Sequence, residues 1–133
     1  MKAEIFAFCD YAAKYGDKLC IIGICEVFFS KRFPITIESH FLAYKLRLGA
    51  NHSGPVHLTF RVDDDKGENL KLFTLEMAEP PKLPGLGFEP ITGALWLDYL
   101  TLPQSGSHSA SLFYGGKIVA SIPILAVQSS GTG

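Results

Sequence analysis

The chain has 133 residues, a net charge of −1 and a hydrophobic content of 47% against 19% charged residues. That length holds one domain and buries roughly two-thirds of the unfolded surface, so no staples are required. The balanced charge excludes the basic footprint of a nucleic-acid binder and the lysine-rich run of a membrane-surface protein.

Targeting and compartment follow from local pattern. Glu4 and Asp10 flank a short apolar N-terminal run, too short for a signal-peptide core. No apolar stretch reaches the ~18 residues of a membrane span, so no membrane partner is expected. The three cysteines, Cys9, Cys20 and Cys25, are odd in number and sit in apolar contexts. That usage fits buried free thiols in a reducing compartment, hence the cytoplasm. A small domain this apolar is expected to hide surface in a homo-oligomer.

In chain order, Lys2 to Ala12 reads as a first strand, and Tyr15-Gly16-Asp17 as a turn. Folding back across residues 13–17 brings Cys9 near Ile21 and Asp10 near Cys20, a poor geometry for a Cys9–Cys20 disulfide. Lys18 to Phe29, KLCIIGICEVFF, is apolar on both faces and reads as the central strand of the fold. Leu19, Ile21, Gly23, Cys25, Val27 and Phe29 share one face, and Cys20, Ile22, Ile24 and Phe28 the other. A sandwich covers only one side of each sheet, so something else must cover the second face: the 79–90 segment or a second subunit. Ile22, Ile24 and Phe28 are therefore the candidate interface residues.

Ser30 to Pro34 is a turn, and Thr36 to Leu48 a third strand, with a helix as the alternative. Val56 to Val62 alternates cleanly, Asp63 to Asn69 is a hairpin turn, and Leu70 to Ala78 returns as a strand. Residues 79–90, EPPKLPGLGFEP, hold four prolines and two glycines and read as a crossover between sheets. Ile91 to Leu102 is a strand. Ser109 to Tyr114 and Lys117 to Val127 form a hairpin about Gly115-Gly116, pairing Tyr114 with Lys117, Phe113 with Ile118 and Leu112 with Val119. The count is about eight strands without a helix, which argues for one antiparallel, immunoglobulin-like β-sandwich over 1–128, with 129–133 as a tail; a closed barrel is the alternative.

Chemistry-bearing clusters are sparse. Asp63 to Glu68 is the nearest approach to a calcium loop, but Gly67 is out of step with the helix-loop-helix pattern, and the run reads first as a solvated turn. His52 and His57 lack a recognised zinc spacing, and His40 and His108 stand alone. The cysteines lie within apolar strands, where thiolates are disfavoured, and no nucleophile elbow is present. Asp10 and Glu26 are carboxylates on strands expected to be buried, with Lys18, Lys31 and Arg32 as candidate partners. Trp96, Phe88 and Tyr99 form a candidate carbohydrate-stacking platform.

Several short marks carry a likeness: Cys9-Asp10-Tyr11, Gly16, Lys18-Leu19, Ile22-Gly23, Phe33-Pro34, a strand through Leu97 and Leu100, Gly106, Gly115-Gly116, and Ile122-Pro123 leading to Val127. In these the chain resembles an uncharacterised bacterial domain-of-unknown-function family of small β-sandwich proteins. The resemblance implies a fold and no activity. Where such proteins have a tyrosine after the loop glycine, this chain has Ser107-His108. The expectation is a cytoplasmic protein-interaction or self-assembling module, not an enzyme, without a catalytic residue, cofactor or metal. A small-ligand module for carbohydrate or calcium is the alternative.

Overall fold

Alternation decides the clearest strand: Val56, Leu58, Phe60 and Val62 are buried, and His57 between them is exposed. A residue pattern of period two lays one face of an extended chain on a core. The computed structural model describes residues 1–49, 51–80, 85 and 87–130, with residue 88 as backbone only, and these form nine strands and no helix. They are β1 (Lys2–Tyr15), β2 (Lys18–Ile24), β3 (Val27–Ser30), β4 (Ile35–Gly49), β5 (Val56–Asp63), β6 (Asn69–Met77), β7 (Phe88–Leu102), β8 (Gly106–Tyr114) and β9 (Lys117–Gln128).

The strands make two sheets, β2-β1-β4-β7 and β3-β9-β8-β5-β6. Every pairing is antiparallel except that of β3 with β9. The rows β1-β4-β7 and β9-β8-β5 correspond to the two facing sheets of an immunoglobulin-like sandwich, as expected. Phe8, Leu42, Leu46, Leu58, Phe60 and Leu112 are fully buried between them. Each such side chain contributes roughly 1.5–3 kcal/mol through burial.

The stretch Lys18 to Phe29 is not one central strand. Its first half is β2, at the edge of the first sheet, and its second half is β3, at the edge of the other. Cys25 and Glu26 carry the chain across. The Cys25 amide donates to the Phe8 carbonyl at 2.9 Å, and the Leu125 amide donates to the Glu26 carbonyl at 2.6 Å, so the crossing is tied to both sheets. An unbroken apolar run that changes sheets looks like a two-sided strand in sequence. The split also raises the count from about eight to nine.

The register of the first hairpin also differs from expectation. Tyr15 pairs with Lys18 and Cys9 with Ile24, rather than Cys9 with Ile21. The turn is only Gly16-Asp17, with Gly16 at φ 61°, a tight connection that suits the twist of the flanking strands. The last hairpin pairs Tyr114 with Lys117 and Phe113 with Ile118, as expected. A bulge then shifts Leu112 onto Ala120, leaving Val119 as the extra residue.

β4 and β7 reverse faces together. Leu42 and Leu95 lie opposite each other on the core side, and so do Ile37 and Leu100, five residues further along. Alternation alone would put the second pair outside. Tyr99, at φ 53°, absorbs the reversal on β7. The crossover expected in 79–90 does join β6 of one sheet to β7 of the other; its role as a cover lies on residues 81–84 and 86, outside the described residues. The expected tail begins with Ser129, whose amide donates to the Ser30 carbonyl at 2.9 Å; residues 131–133 lie outside the described residues.

Candidate interaction surface

The β1–β2 hairpin is the element that most shapes the surface. Beyond Cys9, β1 leaves β4 and pairs with β2 alone. A straight hairpin of this length would carry its tip roughly 20 Å past the sheet. Instead Asp17, Lys18 and Leu19 line one depression with Ile5, Lys45 and Thr92. The hairpin therefore folds back over the outer face of the first sheet.

The bend lies where Asp10 faces Gly23. Gly23 adopts φ 71°, and a Cβ there would overlap the Asp10 carboxylate. The Asp10 carboxylate in turn lies 3.2 Å from His40 Nε2. The His40 ring stacks on Phe8, with centroids 4.9 Å apart, and Phe28 meets both rings edge-on. A carboxylate, an imidazole and two phenyl rings thus fix the bend.

Folding back gives the hairpin a covered and an open face. Ala12, Leu19 and Ile21 pack with Cys9, Phe41, Ala43 and Ala94, forming a second small core beneath the hairpin. The opposite face carries Tyr11, Tyr15, Cys20 and Ile22, brought together by the pairs Tyr11–Ile22, Ala13–Cys20 and Tyr15–Lys18. Tyr11 also meets the Phe41 ring edge-on, with centroids 5.5 Å apart, and Ile24 lies beyond Gly23, whose positive φ interrupts the alternation. Ile22 is 56% exposed, Ile24 62% and Tyr15 60%. Hydrogen bonding with Tyr11, together with the negative charge Tyr11 and Cys20 would carry, holds the Tyr15 hydroxyl above the ordinary tyrosine pKa. Nearby, Trp96 is half exposed, and its Nε1 donates to Ser39 Oγ at 2.8 Å. On β3, Phe29 is the most exposed of the large apolar side chains among the described residues.

Of the three interface candidates, Ile22 lies on this open face and Ile24 is exposed just beyond Gly23, whereas Phe28 turns inward against Phe8 and His40. Tyr11 and Tyr15 belong to the same face but were missed. The signal was available in the register of a two-residue turn, which sets Tyr11 beside Ile22 and Tyr15 beside Lys18.

The remaining candidates are dispersed. Asp10 and Glu26 are both exposed, not buried, and Asp10 pairs with His40 rather than with a lysine or arginine. The Asp63 to Glu68 run is a stapled turn: Asp64 Oδ1 accepts from the amides of Lys66 at 2.9 Å and Glu68 at 2.8 Å. Asp63 is engaged by Arg61, and Asp65 by Gln104. Among the described residues, no three metal-ligating side chains converge. His52 meets the Tyr114 hydroxyl, His57 is exposed on the outer face of β5, and His108 is buried with Nδ1 against the Gly106 carbonyl. Phe88 and Trp96 are eight residues apart on one strand, roughly 27 Å, too far for one stacking platform. A groove of about 540 Å³ crosses the outer face of the second sheet, lined by His57, Thr59, Arg61, Leu72, Phe113 and the Gly115-Gly116 turn.

The profile of a family of unknown function, DUF6941, matches residues 4–127, which span all nine strands. The chain belongs to DUF6941. The likeness read from Cys9-Asp10-Tyr11, Ile22-Gly23 and the other short marks is thus to an uncharacterised family of this kind, and the fold of this DUF6941 chain is the expected sandwich. No curated protein matches it. Among solved structures, it is similar to an immunoglobulin-like protein of Pseudomonas aeruginosa, at 12% identity over 95% of each chain with a TM-score of 0.41. It is also similar to part of the alkylpurine DNA glycosylase AlkC of Pseudomonas fluorescens, solved bound to DNA containing an abasic-site analog. That likeness has 12% identity and a TM-score of 0.48, covering 94% of this chain and 30% of the glycosylase. The DUF6941 chain therefore spans less than a third of that protein.

Proposed function

We propose that this DUF6941 protein is a non-catalytic, self-assembling interaction module, and that a second copy covers the open face of its β1–β2 hairpin. One observation carries the reading: Tyr11, Tyr15 and Ile22 stand exposed on one face of a hairpin whose opposite face already has a core beneath it, with Ile24 exposed just beyond Gly23. Apolar side chains gathered on one exposed face mark an interaction site. The run from Leu19 to Cys25 contains no charge, so two copies brought together there meet no like-charge repulsion.

Protein concentration tests this reading. A dimer that unfolds to separate chains has a Tm that rises with concentration, because only the folded state binds the partner. The expected result is a rising Tm for the wild-type chain and a flat one for Ile24→Lys. A wild-type Tm independent of concentration overturns the proposal.

A further inference from the structure

The groove on the outer face of the second sheet is independent of the hairpin, which lies over the outer face of the first. The two features therefore sit on opposite sides of the sandwich. At about 540 Å³ the groove falls within the usual range of small-ligand pockets. Its floor is a column of side chains on β5: His57, Thr59 and Arg61. Alternation sets them on one face, roughly 7 Å from each to the next. Phe113 of β8, opposite Thr59, forms one wall. Leu72 of β6, opposite Arg61, forms the other. His57 lies at the end nearest the Gly115-Gly116 turn, since Leu58 pairs with Tyr114. That turn brings backbone and no side chain to the groove, so this end stays open.

The floor has unused hydrogen-bonding capacity. Among the described residues, the His57 ring and the Thr59 hydroxyl make no hydrogen bond or ion pair. Arg61 Nη2 donates to Asp63 Oδ1 at 3.0 Å, and Asp63 accepts from Asn69 Nδ2 at 3.2 Å. The guanidinium is thus held through one of its N–H groups while the side chain stays 39% exposed. A group fixed before binding loses little freedom when a ligand arrives.

Charge then selects the ligand. Arg61 is matched by Asp63, and Glu76, opposite His57 on β6, is exposed. An anion entering the groove competes with Asp63 for the guanidinium and approaches Glu76, whereas a cation meets Arg61. A wholly apolar ligand strips water from the floor and leaves its polar groups unpaired, an unfavourable exchange. The lining suits a neutral, elongated molecule with hydroxyls along its edges and C–H groups on its faces. We propose that the groove binds a short neutral oligosaccharide. Arg61, Thr59 and His57 hydrogen-bond its hydroxyls, and Phe113 packs against the C–H face of a sugar ring.

The test is titration of the isotope-labelled full chain with neutral trisaccharides, read by amide chemical shifts. Maltotriose, cellotriose, laminaritriose, mannotriose and triacetylchitotriose are the probes, with trigalacturonate as the anionic counterpart. At least one neutral trisaccharide should give saturable shifts at Thr59, Arg61, Leu72 and Phe113. Arg61→Met should weaken that binding by roughly tenfold or more, the effect of losing a hydrogen bond to a charged group. Thr59→Val should weaken it too; it keeps a β-branched side chain of the same shape, so it serves even if Arg61→Met, which leaves Asp63 without its cation, fails to fold. Ile22→Lys/Ile24→Lys should bind the same sugar as the wild type does, because those residues lie on the other side of the sandwich. The proposal is overturned if no neutral trisaccharide gives saturable shifts in the groove, if trigalacturonate binds there more tightly, or if the shifts centre on Trp96. Undiminished binding by Thr59→Val overturns it as well. Each of these results leaves the hairpin dimer standing, and a monomeric chain leaves the groove proposal standing.

Discussion

Gly23 has no side chain because the Asp10 carboxylate fills the place where one would be. The two residues face each other across the bend of the β1–β2 hairpin, with Gly23 at φ 71°. Gly23→Ala must therefore strain the backbone and displace Asp10 from His40. The strain alone is roughly 1–2 kcal/mol for an L-residue in this region. Urea unfolding should show at least that loss. A change within a few tenths of a kcal/mol would mean that the bend does not depend on glycine.

The three thiols should react in a fixed order. Cys9 is fully buried beneath the hairpin, and burial first, then the neighbouring Asp10 charge, pushes its thiol above the ordinary value. Cys20 and Cys25 are only partly buried. A thiol reagent should label Cys20 and Cys25 in the native protein, and Cys9 only after unfolding. Rapid native labelling of Cys9 would show that the hairpin lifts from the sheet. Gly23→Ala should speed Cys9 labelling, which links this prediction to the previous one.

Tyr44 sets an alkaline limit. Burial pushes its hydroxyl from 10.0 up to about 12. A group whose pKa is raised on folding stabilises the protein fully below its unfolded value, and that stability is lost as pH rises through the folded one. The wild-type chain should lose stability progressively between pH 10 and about pH 12. In Tyr44→Phe this part of the pH dependence should vanish; an unchanged alkaline profile would contradict the assignment. Tyr44 also fills the space beside Gly93, where an added Cβ would overlap its hydroxyl. Gly93→Ala should therefore destabilise the wild type more than it destabilises Tyr44→Phe, in which that hydroxyl is absent.

Asp64 acts at the opposite end of the scale. Burial pushes its carboxyl up, but the amides of Glu68 and Lys66, the Gln104 side chain and the nearby His108 outweigh burial and hold it below 3.8. A lowered carboxylate stabilises the fold above its unfolded pKa, and that contribution is lost as pH falls through the folded value. Asp64→Asn should be less stable than wild type at neutral pH, and the gap should close in acid. A gap that persists unchanged down to acid unfolding would assign the loss to something other than the charge.

What the sequence revealed follows from what is local. Val56 to Val62 alternates because both of its neighbours and its core are regular, and Gly115-Gly116 forces a hairpin whatever lies around it. The face assignments of Leu19 to Ile22 were also legible, since alternation along an unbroken strand is a property of the chain itself. The location of that strand was not. A change of sheet at Cys25-Glu26 leaves no mark in hydropathy, because both halves remain apolar. The pairing of Asp10 with His40, thirty residues apart in sequence, depends on tertiary position alone. The reversal at Tyr99 was hidden for a different reason: alternation assumes an unbroken pleat, and one residue with positive φ inverts every face beyond it.

The central claim is that a second copy covers the exposed apolar side chains of the hairpin, Ile22 and Ile24 among them. Size-exclusion chromatography with light scattering measures this most directly, using the wild-type chain and the double variant Ile22→Lys/Ile24→Lys. Both side chains are more than half exposed, so the substitutions leave the core intact. The wild type should elute with twice the 14.5 kDa mass of the chain, and the variant with the mass of one chain at an unchanged circular dichroism spectrum. A wild type that remains at the mass of one chain, or a double variant that stays dimeric, would contradict the claim.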